Sequence, residues 1–136
     1  MENILVKARV EFYSKYPLGL RRTSVGQLIL TDQRLVYVKE DHWWSGKDYS
    51  GRIDEALQKE GSFAVSIDQV IETKVERKFA YPYLYMRYRT ATGEKPACFT
   101  LLPGGGLLGN ALSYRLAPLE NISSLIDRTK QNMQPG

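Results

Sequence analysis

The sequence predicts a mainly β protein of the α+β class: about seven short antiparallel strands in a meander, followed by one C-terminal α-helix. Three observations predict it. Apolar and polar residues alternate with a period of two over most of the chain. The links between the alternating runs are short, apart from one, which favours antiparallel neighbours. Near the C-terminus the apolar spacing changes to three and four residues. A meander of this length bends into a barrel or two packed sheets to bury its apolar face, and the helix closes an open end.

Ile4, Val6, Ala8, Val10 and Phe12 alternate with Lys7, Arg9 and Glu11, so residues 4–13 form the first strand, with one wet face. Residues 14–24 carry Pro17, Gly19 and several polar side chains and form a loop. Residues 26–38 are two strands around a tight turn. Leu28 and Leu30 share one face, Leu35 and Tyr37 share one face, and the polar residues 31–34 reverse the chain. The alternation then lapses over residues 40–61, an insertion between the third and fourth strands. Residues 53–60 suit a short helix, with Gly61 as its stop. Insertions of this length are often functional.

Phe63, Val65 and Ile67 restart the alternation, and residues 66–70 form a short turn that shifts register. Ile71, Thr73, Val75, Arg77 and Phe79 then alternate with Glu72, Lys74, Glu76 and Lys78, a solvent row of both charge signs that guards against edge pairing. Tyr81 and Pro82 break the run. Leu84, Met86 and Tyr88 face one way and Tyr83, Tyr85, Arg87 and Arg89 the other. Residues 90–94 are a turn, after which Ala97, Phe99 and Leu101 continue the apolar face. Residues 103–106 end the strands, and residues 107–115 fit no single pattern. The helix spans about residues 118–131, with Leu119, Ile122, Leu125, Ile126 and Met133 in one stripe. Pro118 suits its first position, Glu120 its start, and Arg128 and Lys130 its end.

The chain has 136 residues, 43% hydrophobic and 25% charged, the profile of a globular fold. It reads as one domain over residues 1–136, with an ordered core from about 4 to 131. A lone cysteine, Cys98, excludes an internal disulfide and fits a reducing compartment. Apolar runs are far too short to span a membrane, and the first residues do not form a secretory signal. The expected location is the cytoplasm, with peripheral attachment at a membrane as an option. A net charge of +4 permits attraction to phosphate-rich partners.

Residues 26–37, GQLILTDQRLVY, follow a G-x-L-x-L-T-x-x-R-L pattern, and residues 63–72, FAVSIDQVIE, give a strand, a turn and an isoleucine-valine pair. With the final helix, these stretches resemble the pleckstrin-homology-like superfold, and within it the GRAM and bacterial PH-like domains. The resemblance covers most of the chain from residue 4 to about residue 130. It implies a partly open barrel of about seven antiparallel strands capped by a C-terminal α-helix. The insertion at 40–61 and the glycine-rich stretch after Leu102 depart from the pattern. Such domains bind phosphoinositides, peptides or proteins, or assemble with copies of themselves, so fold alone does not choose among these.

Three groups of residues are candidates for contact. In lipid-binding relatives of this superfold, the loop between the first two strands holds basic residues that cradle phosphates. Here that loop carries Lys15, Arg21 and Arg22, against the competing reading of a solvated loop. The two arginines are consecutive where the family pattern spaces its basic residues one apart. Trp43, Trp44 and Tyr49, with Lys47 and Arg52, suit a membrane or partner contact, against the competing reading that at least one tryptophan folds back to cover an open sheet face. Tyr83, Tyr85, Arg87 and Arg89 suit a subunit interface or a half-covered sheet face, and less well the stacking of single-stranded bases.

Catalysis finds little support. One histidine, His42, cannot make a multi-histidine metal site, Cys98 alone cannot make a zinc cluster, and no motif marks a nucleophile. Residues 104–106 lack the lysine and hydroxyl of a phosphate loop. The expectation is a non-enzymatic binding module without cofactor or metal. Its partner is an anionic lipid headgroup or a protein, with homo-oligomerisation an option and nucleic acid ranked last.

Overall fold

A computed structural model of the chain describes residues 2–14, 24–40, 49, 51–78, 81–101 and 117–133. Seven described strands form one antiparallel sheet: β1 (Ile4–Tyr13), β2 (Ser24–Thr31), β3 (Arg34–Glu40), β4 (Phe63–Ser66), β5 (Val70–Lys78), β6 (Tyr81–Thr90) and β7 (Gly93–Leu101). Among the described residues two helices accompany them, α1 (Ile53–Ala56) and α2 (Ala117–Met133), with a 3-10 turn over Ile67–Gln69. The strand order is β4-β3-β2-β1-β7-β6-β5. β1 sits at the centre and pairs on both edges, with β2 from Ile4 to Phe12 and with β7 from Val10 to Tyr13. The sheet is open, with β4 and β5 at its edges.

One face of the sheet holds the main core. Val10, Phe12, Leu28, Leu30, Leu35, Tyr37, Leu84, Met86 and Phe99 are all buried there. Phe12, Tyr37, Phe63 and Phe99 form an aromatic group whose ring centroids lie 4.9 to 6.0 Å apart. α2 lays Leu119, Ile122 and Ile126 into the same core and packs on β5, β6 and the 3-10 turn. This is the stripe expected from the spacing, with one correction. Met133 is exposed, and Thr129 takes the next buried position, its hydroxyl donating to the Leu125 carbonyl at 2.7 Å. The helix also begins at Ala117, so Pro118 is its second residue.

The opposite face of the β2–β3 hairpin is buried too. Ile29, Val36 and Val38 form a second cluster with Tyr49, Ile53 and Ala56. Tyr49 and α1 therefore lie across the back of the sheet. Tyr49 is fixed there by its own amide, which donates to Gln27 Oε1 at 2.8 Å in a buried hydrogen bond. Burying side chains of this size contributes about 1.5–3 kcal/mol each. Tyr49, grouped in sequence with the tryptophans as a surface aromatic, is instead a back-face anchor, being 7% exposed.

Three further expectations are corrected. The helix predicted over residues 53–60 ends at Ala56. Beyond it the bonds shorten to i→i−3 turns, Gln58 to Glu55 and Lys59 to Ala56, and the stretch stops at Gly61 with φ +88°. Pro82 does not break the chain: it lies inside β6 opposite Arg77, and its carbonyl accepts from Thr100 Oγ1 at 2.8 Å. The turn predicted over residues 90–94 narrows to Ala91 and Thr92, because Thr90 already pairs with Gly93. The turn over residues 66–70 does form. Ser66 and Gln69 close it as a reciprocal capping box. A bulge follows between Val70 and Glu72, turning Val70 into the core.

Candidate functional site

The Thr31-x-x-Arg34 element of the hairpin motif proves to be a clamp. Thr31 Oγ1 accepts the amides of Gln33 and Arg34 at 3.1 and 3.0 Å and lies 2.6 Å from Glu2 Oε2, to which it donates. Arg34 grips Glu2 through Nε and Nη2 at 2.9 and 3.1 Å and reaches Asp54 on α1 at 2.9 Å. Asn3 and Asp32 exchange three further bonds of 2.9 to 3.1 Å. The turn thus ties the start of the chain to α1. The Arg34 hydrogen bonds hold the Glu2 carboxyl below the usual glutamate range, and Glu2 in turn raises Arg34. Reading the sequence alone missed this group, although the Thr-x-x-Arg spacing was its visible sign.

Arg52 lies beside this clamp. It is exposed and lines an open cleft of about 280 Å³ together with Glu2, Arg34, Asp54 and Glu55. The other members of its predicted group, Trp43, Trp44 and Lys47, lie outside the described residues, as do Lys15, Arg21 and Arg22. What the structure does place are the strand ends flanking those segments. Phe12 pairs with Ser24, and Val25 pairs with Glu40. Residues 15–23 leave β1 and enter β2, and residues 41–48 leave β3, so both depart from adjacent strands at one end of the sheet. The Ala91–Thr92 hairpin lies toward the same end, since β7 runs back from Gly93 to meet Tyr13 at Cys98.

Glu40, the last residue of β3, is buried at this end and takes a 3.0 Å hydrogen bond from Arg9 Nη2. Gly26, next to it in the ladder, shows why the motif opens on glycine. A Cβ there would lie 2.1 Å from the Val38 carbonyl oxygen and 2.9 Å from the Tyr37 ring. The Tyr37 hydroxyl is 2.7 Å from Ser24 Oγ, so the ring is held across the glycine from both ends.

The tyrosine and arginine row of β6 lies on the outer face as the alternation predicts. Tyr83, Tyr85 and Arg87 are half-buried and Arg89 is exposed. Tyr83 meets Tyr13 edge-on at 5.6 Å, and Tyr13 donates to Glu11 at 2.8 Å. Burial, followed by the nearby Glu11 carboxylate, raises the Tyr13 phenol. Lys74 lies 5.2 Å from the centre of the Tyr85 ring. Arg87 sits between Glu72 at 3.7 Å and Glu94 at 3.3 Å. The row is therefore a mixed-charge face, with its arginine already opposite carboxylates.

Cys98 lies under this face, fully buried, and burial pushes its thiol up to about 12. Such a thiol stays protonated at neutral pH and is a poor nucleophile. Among the described residues, no group of three or more His, Cys, Asp or Glu side chains is placed to hold a metal ion. His42 lies outside them.

No protein-family model and no characterised protein sequence matches the chain. Its likeness is to solved structures. The hSac2 domain from human phosphoinositide phosphatase Sac2 is 11% identical, with 98% of this chain and 74% of that one covered and a TM-score of 0.64. The DH/PH domains of p115-RhoGEF are 6% identical, with 99% of this chain and 32% of that one covered and a TM-score of 0.59. The Vps36 N-terminal PH domain is 19% identical over 90% of this chain and 83% of its own, with a TM-score of 0.48. At these identities the likeness concerns fold alone. The seven-stranded antiparallel open sheet with its C-terminal helix is the pleckstrin-homology-like fold. Among the described residues, no helix is long and apolar enough to cross a membrane.

Proposed function

We propose that the chain is a non-enzymatic binding module, one GRAM-like or bacterial PH-like domain, that docks to anionic membrane lipid through the end of the sheet bearing residues 15–23 and 41–48. The observation that carries this reading is the adjacency of the strand ends flanking those two segments. One segment brings Lys15, Arg21 and Arg22 with no acidic residue, and the other brings Trp43, Trp44 and Lys47. Forked guanidinium donors suit headgroup phosphates, and indoles suit the interfacial layer beside them. Attachment of this kind is peripheral, on the cytoplasmic leaflet where anionic lipid concentrates.

Co-sedimentation with vesicles of neutral lipid, with and without added anionic lipid, tests the reading. Binding to the anionic vesicles is expected, weakening as salt rises, with the Arg21→Ala plus Arg22→Ala variant losing about tenfold in affinity. Binding that ignores salt, lipid charge and both substitutions would defeat it.

A second reading, a protein-binding or self-associating scaffold without lipid affinity, draws on Tyr83 and Tyr85, which stay half-exposed on the outer face. Single-stranded nucleic acid fits this face worse, because Arg87 already stands between Glu72 and Glu94.

A further inference from the structure

The sheet has two edges of unequal length. β4 closes one with four residues, and β5 closes the other with nine. A strand edge offers backbone donors and acceptors to any chain that can align with it. The first residues of β5 are shielded. The bulge between Val70 and Glu72 twists them away, and Lys130 Nζ on α2 donates to the Val70 carbonyl. Thr73 and Ser123 share a 2.6 Å hydrogen bond, which keeps α2 on the inner face of the strand. Among the described residues, β5 pairs with β6 and with no other strand.

The outer row of β5 reads Glu72, Lys74, Glu76, and the sequence continues it with Lys at position 78. Lys74 and Glu76 pair within the strand at 2.9 Å, with side chains 52% and 29% exposed. This row has a particular symmetry. If a second copy lies antiparallel with Val75 opposite Val75, Lys74 faces Glu76 of the other copy and Glu76 faces its Lys74. In the outer row, both facing pairs beside Val75 therefore join opposite charges. Sliding the register by two residues in either direction puts Lys74 against Lys74 or Glu76 against Glu76. Direct like-charge pairs disfavour those registers. The mixed row thus selects one two-fold arrangement as well as discouraging others.

We propose that β5 joins two copies of this chain edge to edge, in antiparallel register centred on Val75, giving one sheet continuous through both. The proposal needs neither the lipid site nor the Tyr83 and Tyr85 face as its contact.

Sedimentation equilibrium on the full chain tests it. The unaltered chain forms a dimer that weakens with salt. Lys74→Glu alone sets Glu against Glu, and Glu76→Lys alone sets Lys against Lys, so each raises the dissociation constant about tenfold or more. Mixing the two variants restores the dimer, because residue 74 of one then meets the opposite charge at residue 76 of the other in both pairs. The pairing within each strand stays broken in that mixture, so recovery reports the contact between copies. Lys74→Glu combined with Glu76→Lys in one chain also restores it, and circular dichroism checks that every variant is folded. A monomeric unaltered chain, single variants that dimerise as before, or a mixture that stays monomeric would each overturn the proposal. A dimer that survives both single variants but is lost on Tyr83→Ala would place self-association on the tyrosine face instead. Vesicle binding by the monomeric variants is expected to be unchanged, which separates this result from the lipid reading.

Discussion

Replacing Gly26 with alanine is expected to destabilise the protein by about 3 kcal/mol or more, the upper range for overpacking a core. The added methyl would fall 2.1 Å from the Val38 carbonyl oxygen, inside any allowed contact, and 2.9 Å from the Tyr37 ring. Neither neighbour can retreat cheaply. Val38 is fully buried in β3, where Gln27 and Gly26 pair with Val38 and Lys39. Tyr37 is buried against Phe12 and Phe99, and its hydroxyl is anchored near Ser24. Chemical denaturation followed by fluorescence measures the effect. A loss below about 1 kcal/mol would show that the strand accommodates a side chain there and that the close approach is not a constraint.

Tyr49→Ala is expected to cost about 3 kcal/mol, the low end for removing a buried aromatic ring. The ring sits over Ile29, Val36 and Val38, with Lys59 Nζ 5.2 Å from its centre and 3.3 Å from its hydroxyl. The hydrogen bond from its backbone N–H to Gln27 Oε1 survives the substitution, but the apolar reason for the segment to stay on the back face is reduced. Increased binding of a hydrophobic dye, together with the lower midpoint of denaturation, identifies exposure of that face. A Tyr49→Phe variant keeps the ring and is expected to retain most of the stability, since only the hydroxyl contact is lost. Equal losses in both variants would assign the effect to the hydroxyl and not to coverage of the hairpin.

The frame was legible because its signals are local. Residues 4–13 alternate cleanly, and β1 spans those same residues. The hairpin declared itself through Leu28, Leu30, Leu35 and Tyr37, and the helix through Leu119, Ile122 and Ile126. Burial of Ile29, Val36 and Val38 was less visible. Their cover comes from Tyr49, Ile53 and Ala56, too few residues on too short a helix to make a period. Pro82 misled for a physical reason: a proline lacks the ladder donor, yet its carbonyl still accepts from Thr100. The Glu2, Arg34 and Asp54 group joins residues far apart in sequence, and no spacing rule reports such contacts. Of the candidate contact residues, the structure brings Tyr83, Tyr85, Arg87 and Arg89 onto one face, with Arg52 apart beside the clamp. Lys15, Arg21, Arg22, Trp43, Trp44 and Lys47 fall outside the described residues, and only their flanking strand ends are fixed.

The β2–β3 hairpin, covered on both faces, is the rigid support from which the two candidate docking segments depart. Native-state hydrogen exchange tests it most directly. The amides of Leu28, Ile29, Leu30, Val36 and Val38 are predicted to exchange slowest, opening only with global unfolding, while those of the short edge strand β4 exchange faster through local opening. Hairpin amides that exchange as fast as those of β4 would contradict the account.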